Sequence, residues 1–383
     1  MSFQQTVHYI NGDAPGTTTE LRYYKIGPEA GTEVPKVYLQ AALHADEQPG
    51  ILVLHHLLAL LKLADARGEL NAQFVVMPMV NPLGMGGLSF NQHQGRYDAV
   101  SGVNFNRKWP SLYQAIAKQL AGKLGDDATN NQQLILNEVS AWLASSSPVG
   151  ALAQLRHRVI QEAYDADYVL DLHCDNDALV HLFAVPQLRE SSFELATWIG
   201  AAATLLAEDS GGGSFDEVWP GLWADAAREN PNHPITAKVK ASGTIEYRGQ
   251  MDTFDALNKQ DAINLYGFFQ AQGLIAGQMI TERPNDAPAP TNLDATEMLR
   301  VDQAGLLAYA VELNEVVKKG QLIAELVVLE GEQAFQQRLP IYAGTNGRII
   351  SRNTNKYVWA GCSIAKIVGD EALESRGDYL LED

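Results

Sequence analysis

The chain has 383 residues, 46% of them hydrophobic and 19% charged, with a formal net charge of −18. That length exceeds what one small core holds, so two domains are expected. The negative excess, with no basic stripe to reverse it, argues against nucleic acid as a partner but leaves room for an anionic small substrate held by a few arginines.

The N-terminal stretch "MSFQQTVHYINGDAPG" has neither a basic region nor an apolar one, so no signal peptide is expected. No apolar run approaches the roughly 18–20 residues of a bilayer span. Two cysteines, Cys174 and Cys362, build no disulfide framework. A cytoplasmic protein with no membrane partner is the expectation.

In chain order, "KVYLQAAL" (36–43) reads as a buried strand and "EQPGILVLHHLLALLKLADARG" (47–68) as a helix. "AQFVVMPMVNPLG" (72–84) reads as a strand closed by Asn-Pro and Gly turn chemistry. Residues 110–160 hold a helical insertion, expected at the periphery. "ADYVLDLHCD" (166–175), "ALVHLFAVP" (178–186) and "SGTIEYRG" (242–249) read as further strands, and residues 255–275 as a helix. Strands alternating with helices predict an α/β domain over 1–280 with a mixed, largely parallel sheet flanked by helices. Residues 281–293, rich in Pro, Asn and Asp, read as a linker. The short β-runs after it, "GLLAYAVEL", "QLIAELVVL", "GRIIS" and "SIAKIVG", predict a small all-β domain over 294–383, barrel-sandwich-like in pattern.

Chemistry concentrates where strands end. In "HADE", His44 and Glu47 are three residues apart on one turn of chain, so an imidazole and a carboxylate can meet one cation. His173 closes the strand "VLDLHCD" as His44 closes its own. Two histidines and a glutamate leave the fourth coordination position of a zinc ion open, as a catalytic site requires, and one zinc per chain is expected. Asp171, on the same strand face as His173, is placed to orient a ligand. His55 and His56 read as packing or surface residues. His93 and His181 are ambiguous, with core or surface the plainer reading. The motifs H-E-x-x-H, G-x-S-x-G and G-x-x-x-x-G-K-[ST] are absent.

Taken in order, "HADE", "NP" (81–82), "GRYDAVSGVNFNRKWP" (95–110), "DLH" (171–173) and "GTIEYRG" (243–249) resemble the succinylglutamate desuccinylase/aspartoacylase family, a branch of the zinc carboxypeptidase-like enzymes. The resemblance implies zinc ligands at His44, Glu47 and His173, in agreement with the reading above. It implies that Arg96 polarises the scissile carbonyl, that Asn106 and Arg107 bind the substrate's carboxylate, and that Glu246 is the general base. "NFNR" stands where the family has "DLNR", which leaves the substrate open. Arg248 and the loop "GGGSFDEVW" (211–219) could shape the pocket, the plainer reading being an exposed arginine and a glycine loop.

The C-terminal β-runs also resemble a biotinyl/lipoyl-type barrel. No lysine lies between Lys319 and Lys356 to carry such a group, so a lid, scaffold or oligomer contact is expected instead. The implied function is a zinc amidohydrolase removing an N-acyl group from a small amino acid or related amine. The alternatives are a zinc metallocarboxypeptidase acting on short peptides with the same residues, and a binding protein with a structural metal. Structural zinc sites close with four protein ligands and need neither Glu246 nor Arg96. A homo-oligomer is compatible with the sequence.

Overall fold

The computed structural model describes residues 2–31, 33–374, 376 and 380. Its centre is a nine-stranded sheet in the order Gln4–Asn11, Thr18–Ile26, Gln73–Met77, Lys36–Ala41, Tyr168–Asp175, Ala241–Gly249, His181–Ala184, Ala203–Leu206, Thr291–Asn292. The strands from Gln73–Met77 through Ala241–Gly249 run parallel. An N-terminal hairpin enters antiparallel at one edge, and His181–Ala184 runs antiparallel to Ala241–Gly249. The sheet is therefore mixed and largely parallel, as the alternation of elements predicts.

Pleating sends alternate residues to opposite faces, and each face has its own helices. Val37, Leu39, Leu170 and Leu172 face the helices Pro49–Arg67, Arg189–Ile199 and Asp255–Ala271. Tyr38, Val75, Met77 and Val169 face the other way, into a core built with Leu112, Ile116, Ile135, Val139, Leu155 and Val159. Those residues come from the helices Leu112–Leu120, Ala128–Ser145 and Ala151–Ala163. The segment 110–160 is thus no peripheral addition: with the helix Val218–Glu229 it supplies the apolar layer on that face of the sheet.

Ile135 is fully buried in that layer. Ile135→Ala is expected to cost about 2–5 kcal/mol of unfolding free energy, as for a core residue, measured by denaturant titration. A loss below about 0.5 kcal/mol would return these helices to the surface.

The helix Pro49–Arg67 is long and apolar enough to cross a membrane by length and composition, contrary to the reading of the sequence. Its Val53, Leu54, Leu57 and Leu61 are instead fully buried against the sheet.

Residues 296–368 form two small antiparallel sheets around a separate core that includes Ile323, Leu326, Ile349, Val358, Ile364 and Ile367. The segment read as a linker lies along the helix Arg189–Ile199 and ends on the edge of the large sheet. Ala287 N–H donates to Thr197 Oγ1 at 3.2 Å, Arg189 donates to the Pro290 carbonyl at 2.6 Å, and Thr291–Asn292 extends the sheet edge. Asp177–Ala178, just past the strand that carries His173, pairs with Ser351–Arg352 of the C-terminal sheets. Two ion pairs reinforce that seam: Lys366 to Asp175 at 2.5 Å and Arg352 to Asp177 at 2.9 Å.

Candidate metal and active site

Parallel strands place their carboxyl ends on one edge of the sheet, where ligand sites form. Ala41 lies opposite Leu172, and His173 opposite Glu246. His44, His173 and Glu246 therefore project from the ends of three neighbouring strands. After Ala41 the chain swings through Ala42, a non-glycine residue in the left-handed region (φ 57°). A turn follows, closed by Glu47 N–H donating to the His44 carbonyl at 3.0 Å. Ala45 N–H donates to the Gly95 carbonyl at 2.9 Å. A Cβ on Gly95 would stand 2.3 Å from the Asp46 nitrogen, so only glycine allows the segment leading to Arg96 to lie on this turn.

The turn brings His44 and Glu47 together with His173. Glu47 Oε1 is 2.9 Å from His44 Nδ1, and Oε2 is 2.8 Å from His173 Nδ1. The ligand atoms of the three residues lie within 4.8 Å of one another, and all three residues are buried. The outer nitrogens are held too: His44 Nε2 by Asn104 Oδ1 and His173 Nε2 by Asp171 Oδ2, both at 2.8 Å. Each imidazole is thus fixed by a neighbour and turns its other nitrogen inward, the arrangement by which acceptors orient metal-bound histidines.

Electrostatics point the same way. Burial opposes ionisation of Glu47, but His44 and His173 outweigh it and hold the carboxyl well below its usual range. Burial likewise opposes charge on His173, yet Asp171 and Glu47 carry its pKa well above the ordinary value. The cluster therefore stabilises positive charge at its centre, and its donor set fits a divalent cation replacing a proton.

Arg96 reaches the same cluster, its Nη1 3.0 Å from Glu47 Oε1 and 3.3 Å from His44 Nδ1. Asn106 Oδ1 accepts from Phe215 N–H at 2.8 Å, which ties it to the loop 210–217. Arg107 donates to the Asn106 carbonyl at 2.9 Å, and its stem packs so tightly on Gly212 that a Cβ there would stand 2.6 Å from Arg107 Cδ. Glu246 keeps one carboxylate oxygen buried without a partner. Burial first, and Glu47 next, push its pKa up to about 8.

The residues expected as zinc ligands or as substrate-handling and catalytic groups, His44, Glu47, His173, Arg96, Asn106, Arg107 and Glu246, line one cavity of about 560 Å³. The opposite wall comes from the C-terminal sheets, with Met298, Arg300, Trp359, Cys362 and Lys366.

Residues 33–137 match the model of the succinylglutamate desuccinylase/aspartoacylase catalytic domain, so the resemblance read from scattered sequence blocks is borne out. Solved structures share the fold almost end to end. A succinylglutamate desuccinylase/aspartoacylase family protein from Shewanella amazonensis SB2B is 22% identical, with a TM-score of 0.78 over 95% of this chain and 98% of that one. A protein from Shewanella frigidimarina NCIMB 400 described by the same family name is 22% identical, with a TM-score of 0.77 over 96% and 97%. The ectoine utilization protein EutE (DoeB) from Ruegeria pomeroyi, in a product-bound structure, is 17% identical, with a TM-score of 0.65 over 96% and 95%. No curated protein sequence matches the chain.

Of the residues at this candidate site, the matched segment holds His44, Glu47, Arg96, Asn106 and Arg107, while His173 and Glu246 lie beyond it. His181 is fully buried with Nδ1 2.8 Å from the Leu179 carbonyl, and His93 hydrogen-bonds the Gly84 carbonyl. Arg248 pairs with Asp261 away from the cavity. The loop 210–217 does line the cavity, through Ser210, Ser214, Asp216 and Glu217. Asn104 went unnoticed in the sequence. The alternation in "NFNR" puts it level with Asn106, and its Oδ1 holds both His44 Nε2 and Asn106 N–H.

Proposed function

We propose that the chain is a zinc-dependent amidohydrolase that removes an N-acyl group from a small amino acid or related amine. One observation carries the reading: Glu246, with an unpartnered carboxylate oxygen, lines the same cavity as the buried His44–Glu47–His173 cluster. In this assignment His44, Glu47 and His173 hold one zinc per chain, and residues 1–280 act as the catalytic domain.

A zinc ion bound there would supply Lewis acidity and lower the pKa of water in the site. Glu246 takes the proton of the attacking water and returns it to the leaving nitrogen, so that an amine departs rather than an amide anion. Arg96, anchored on Glu47, directs its guanidinium at the acyl carbonyl and favours charge developing on that oxygen. Asn106 and Arg107 orient the amine half by its carboxylate, for which the guanidinium fork is the matching shape. Residues 294–383 form the far wall that limits what enters.

The test is hydrolysis of N-acetyl and N-succinyl amino acids by zinc-loaded protein, with dipeptides run alongside. Turnover of the N-acyl compounds is expected, lost on chelation and restored by zinc, with about one zinc per chain by elemental analysis. His44→Ala and His173→Ala should each lower bound zinc steeply. Full zinc content in both variants would remove these residues as ligands. Activity confined to dipeptides would favour the carboxypeptidase reading.

A further inference from the structure

Arg156, on the helix Ala151–Ala163, reaches the back of the segment that carries Asn104, Asn106 and Arg107. Its Nη2 donates to the Arg107 carbonyl at 2.6 Å and its Nη1 to the Lys108 carbonyl at 3.3 Å. The Phe105 and Asn104 carbonyls lie farther from Nη2, at 3.4 and 3.5 Å. The guanidinium also stands over the Trp109 ring, 5.4 Å from its centroid. Arg156 forms no ion pair among the described residues, and burial pulls its pKa down against the pull of Asp98. Its donors go instead to the backbone of one short segment. A planar fork with five N–H groups can gather several carbonyls that point one way, which the single ammonium of lysine cannot.

The backbone conformation shows that this segment needs holding. Lys108, next to Arg107, is a non-glycine residue in the left-handed region (φ 60°). Such a conformation persists only where the surroundings fix it. Lys108 is fixed at both ends: its N–H donates to the Gly212 carbonyl at 2.6 Å, and its carbonyl accepts from Arg156. Trp109 likewise meets both partners, Arg156 and the Phe215 ring, the latter 5.0 Å away between centroids. The carboxylate-binding pair is thus held by the loop 210–217 from within the catalytic cavity and by Arg156 from outside it. Arg156 itself lines a separate cavity of about 720 Å³, together with Lys108, Trp142 and Ile160. Any effect it has on a substrate passes through the segment it holds.

We propose that Arg156 is a positioning residue, fixing the backbone of 104–108 so that Asn106 and Arg107 meet the substrate's carboxylate. The inference rests on the deacylase reading, which makes that pair the carboxylate clamp. It gives the helical insertion a part in recognition as well as in packing.

The experiment measures kcat and KM of the zinc-loaded full chain on the best-hydrolysed N-acetyl or N-succinyl amino acid and on its α-carboxamide. Wild type should favour the acid by about tenfold or more in kcat/KM. Arg156→Met keeps the length of the side chain and loses its donors. It should raise KM for the acid by about tenfold, change kcat by less than about twofold and lower the acid preference by about fivefold or more. Arg156→Lys, with one donor group left, should fall between. In an Arg107→Lys background, Arg156→Met should add less than about twofold, because both changes act on one interaction. Equal losses on acid and carboxamide, or fully multiplicative effects of the two substitutions, overturn the inference. A wild-type preference near one overturns it too while leaving the deacylase reading intact. Hydrolysis of none of the compounds overturns the deacylase reading. Calorimetric binding of L-leucine against L-leucinamide then decides the role of Arg156. A wild-type preference for the acid that Arg156→Met abolishes supports it, and a preference that is retained or absent removes it.

Discussion

Glu246→Gln is expected to lower kcat by about 10²–10⁴-fold while leaving zinc content unchanged. Glutamine keeps the size and the hydrogen-bonding reach of the side chain, but its amide cannot take the proton of an attacking water. Because Glu246 is not among the inward donors of the His44–Glu47–His173 cluster, its replacement leaves the metal-binding groups in place. A pH profile separates this role from a packing role. Without a cation, burial and Glu47 hold the Glu246 carboxyl near 8, above its ordinary value. A dication beside it favours the ionised form and moves that pKa down. Since only the ionised form accepts a proton, kcat/KM should rise with pH through this pKa, and the rising limb should vanish in the Gln variant. Near-full activity of Glu246→Gln would place the base elsewhere.

Arg107→Lys is expected to act on binding, raising KM for carboxylate-bearing substrates by about tenfold while changing kcat little. The guanidinium is set in place by its bond to the Asn106 carbonyl and by close packing on Gly212. Lysine keeps the charge but presents a point donor where a planar fork fits a carboxylate with two parallel bonds. Those bonds exist in ground and transition states alike, so their loss appears in KM. An unchanged KM would mean that the substrate carries no carboxylate at that end, and an N-acylated amine without a free acid would become the better assignment.

The His44–Glu47–His173 cluster was legible because His44 and His173 each interrupt an apolar strand at its carboxyl end, where a core residue or a turn residue would otherwise stand. The largely parallel character of the sheet was legible as well, because short apolar runs alternate with helical spacing. The N-terminal hairpin was not, because Gln4–Asn11 is an edge strand with little buried surface and so carries almost no apolar pattern. The helices of 110–160 declared an apolar face but not its partner. Periodicity shows that a helix buries a stripe and is silent on which sheet face receives it. Asn104 was hidden for a similar reason, since the imidazole it holds lies 60 residues earlier in the chain. The far wall of the cavity was the least visible part. The alternation in the C-terminal β-runs separates buried from exposed positions, but nothing local marks Trp359 or Lys366 as facing a cleft assembled from distant segments.

The seam at Asp175–Ala178 makes the two halves of the chain a single inheritance. Asp175 and Asp177 stand just past His173, and their counter-charges, Lys366 and Arg352, come from the far end of the polypeptide. A chain cut near residue 290 would strand a buried carboxylate two positions from His173, a perturbation inside the candidate site rather than the loss of an ornament. A chimera that borrowed another protein's C-terminal sheets would need matching cations at 352 and 366 before it could present a new wall. The interchangeable unit is therefore the β-module together with its two acidic sockets, and change in one side of that seam constrains change in the other.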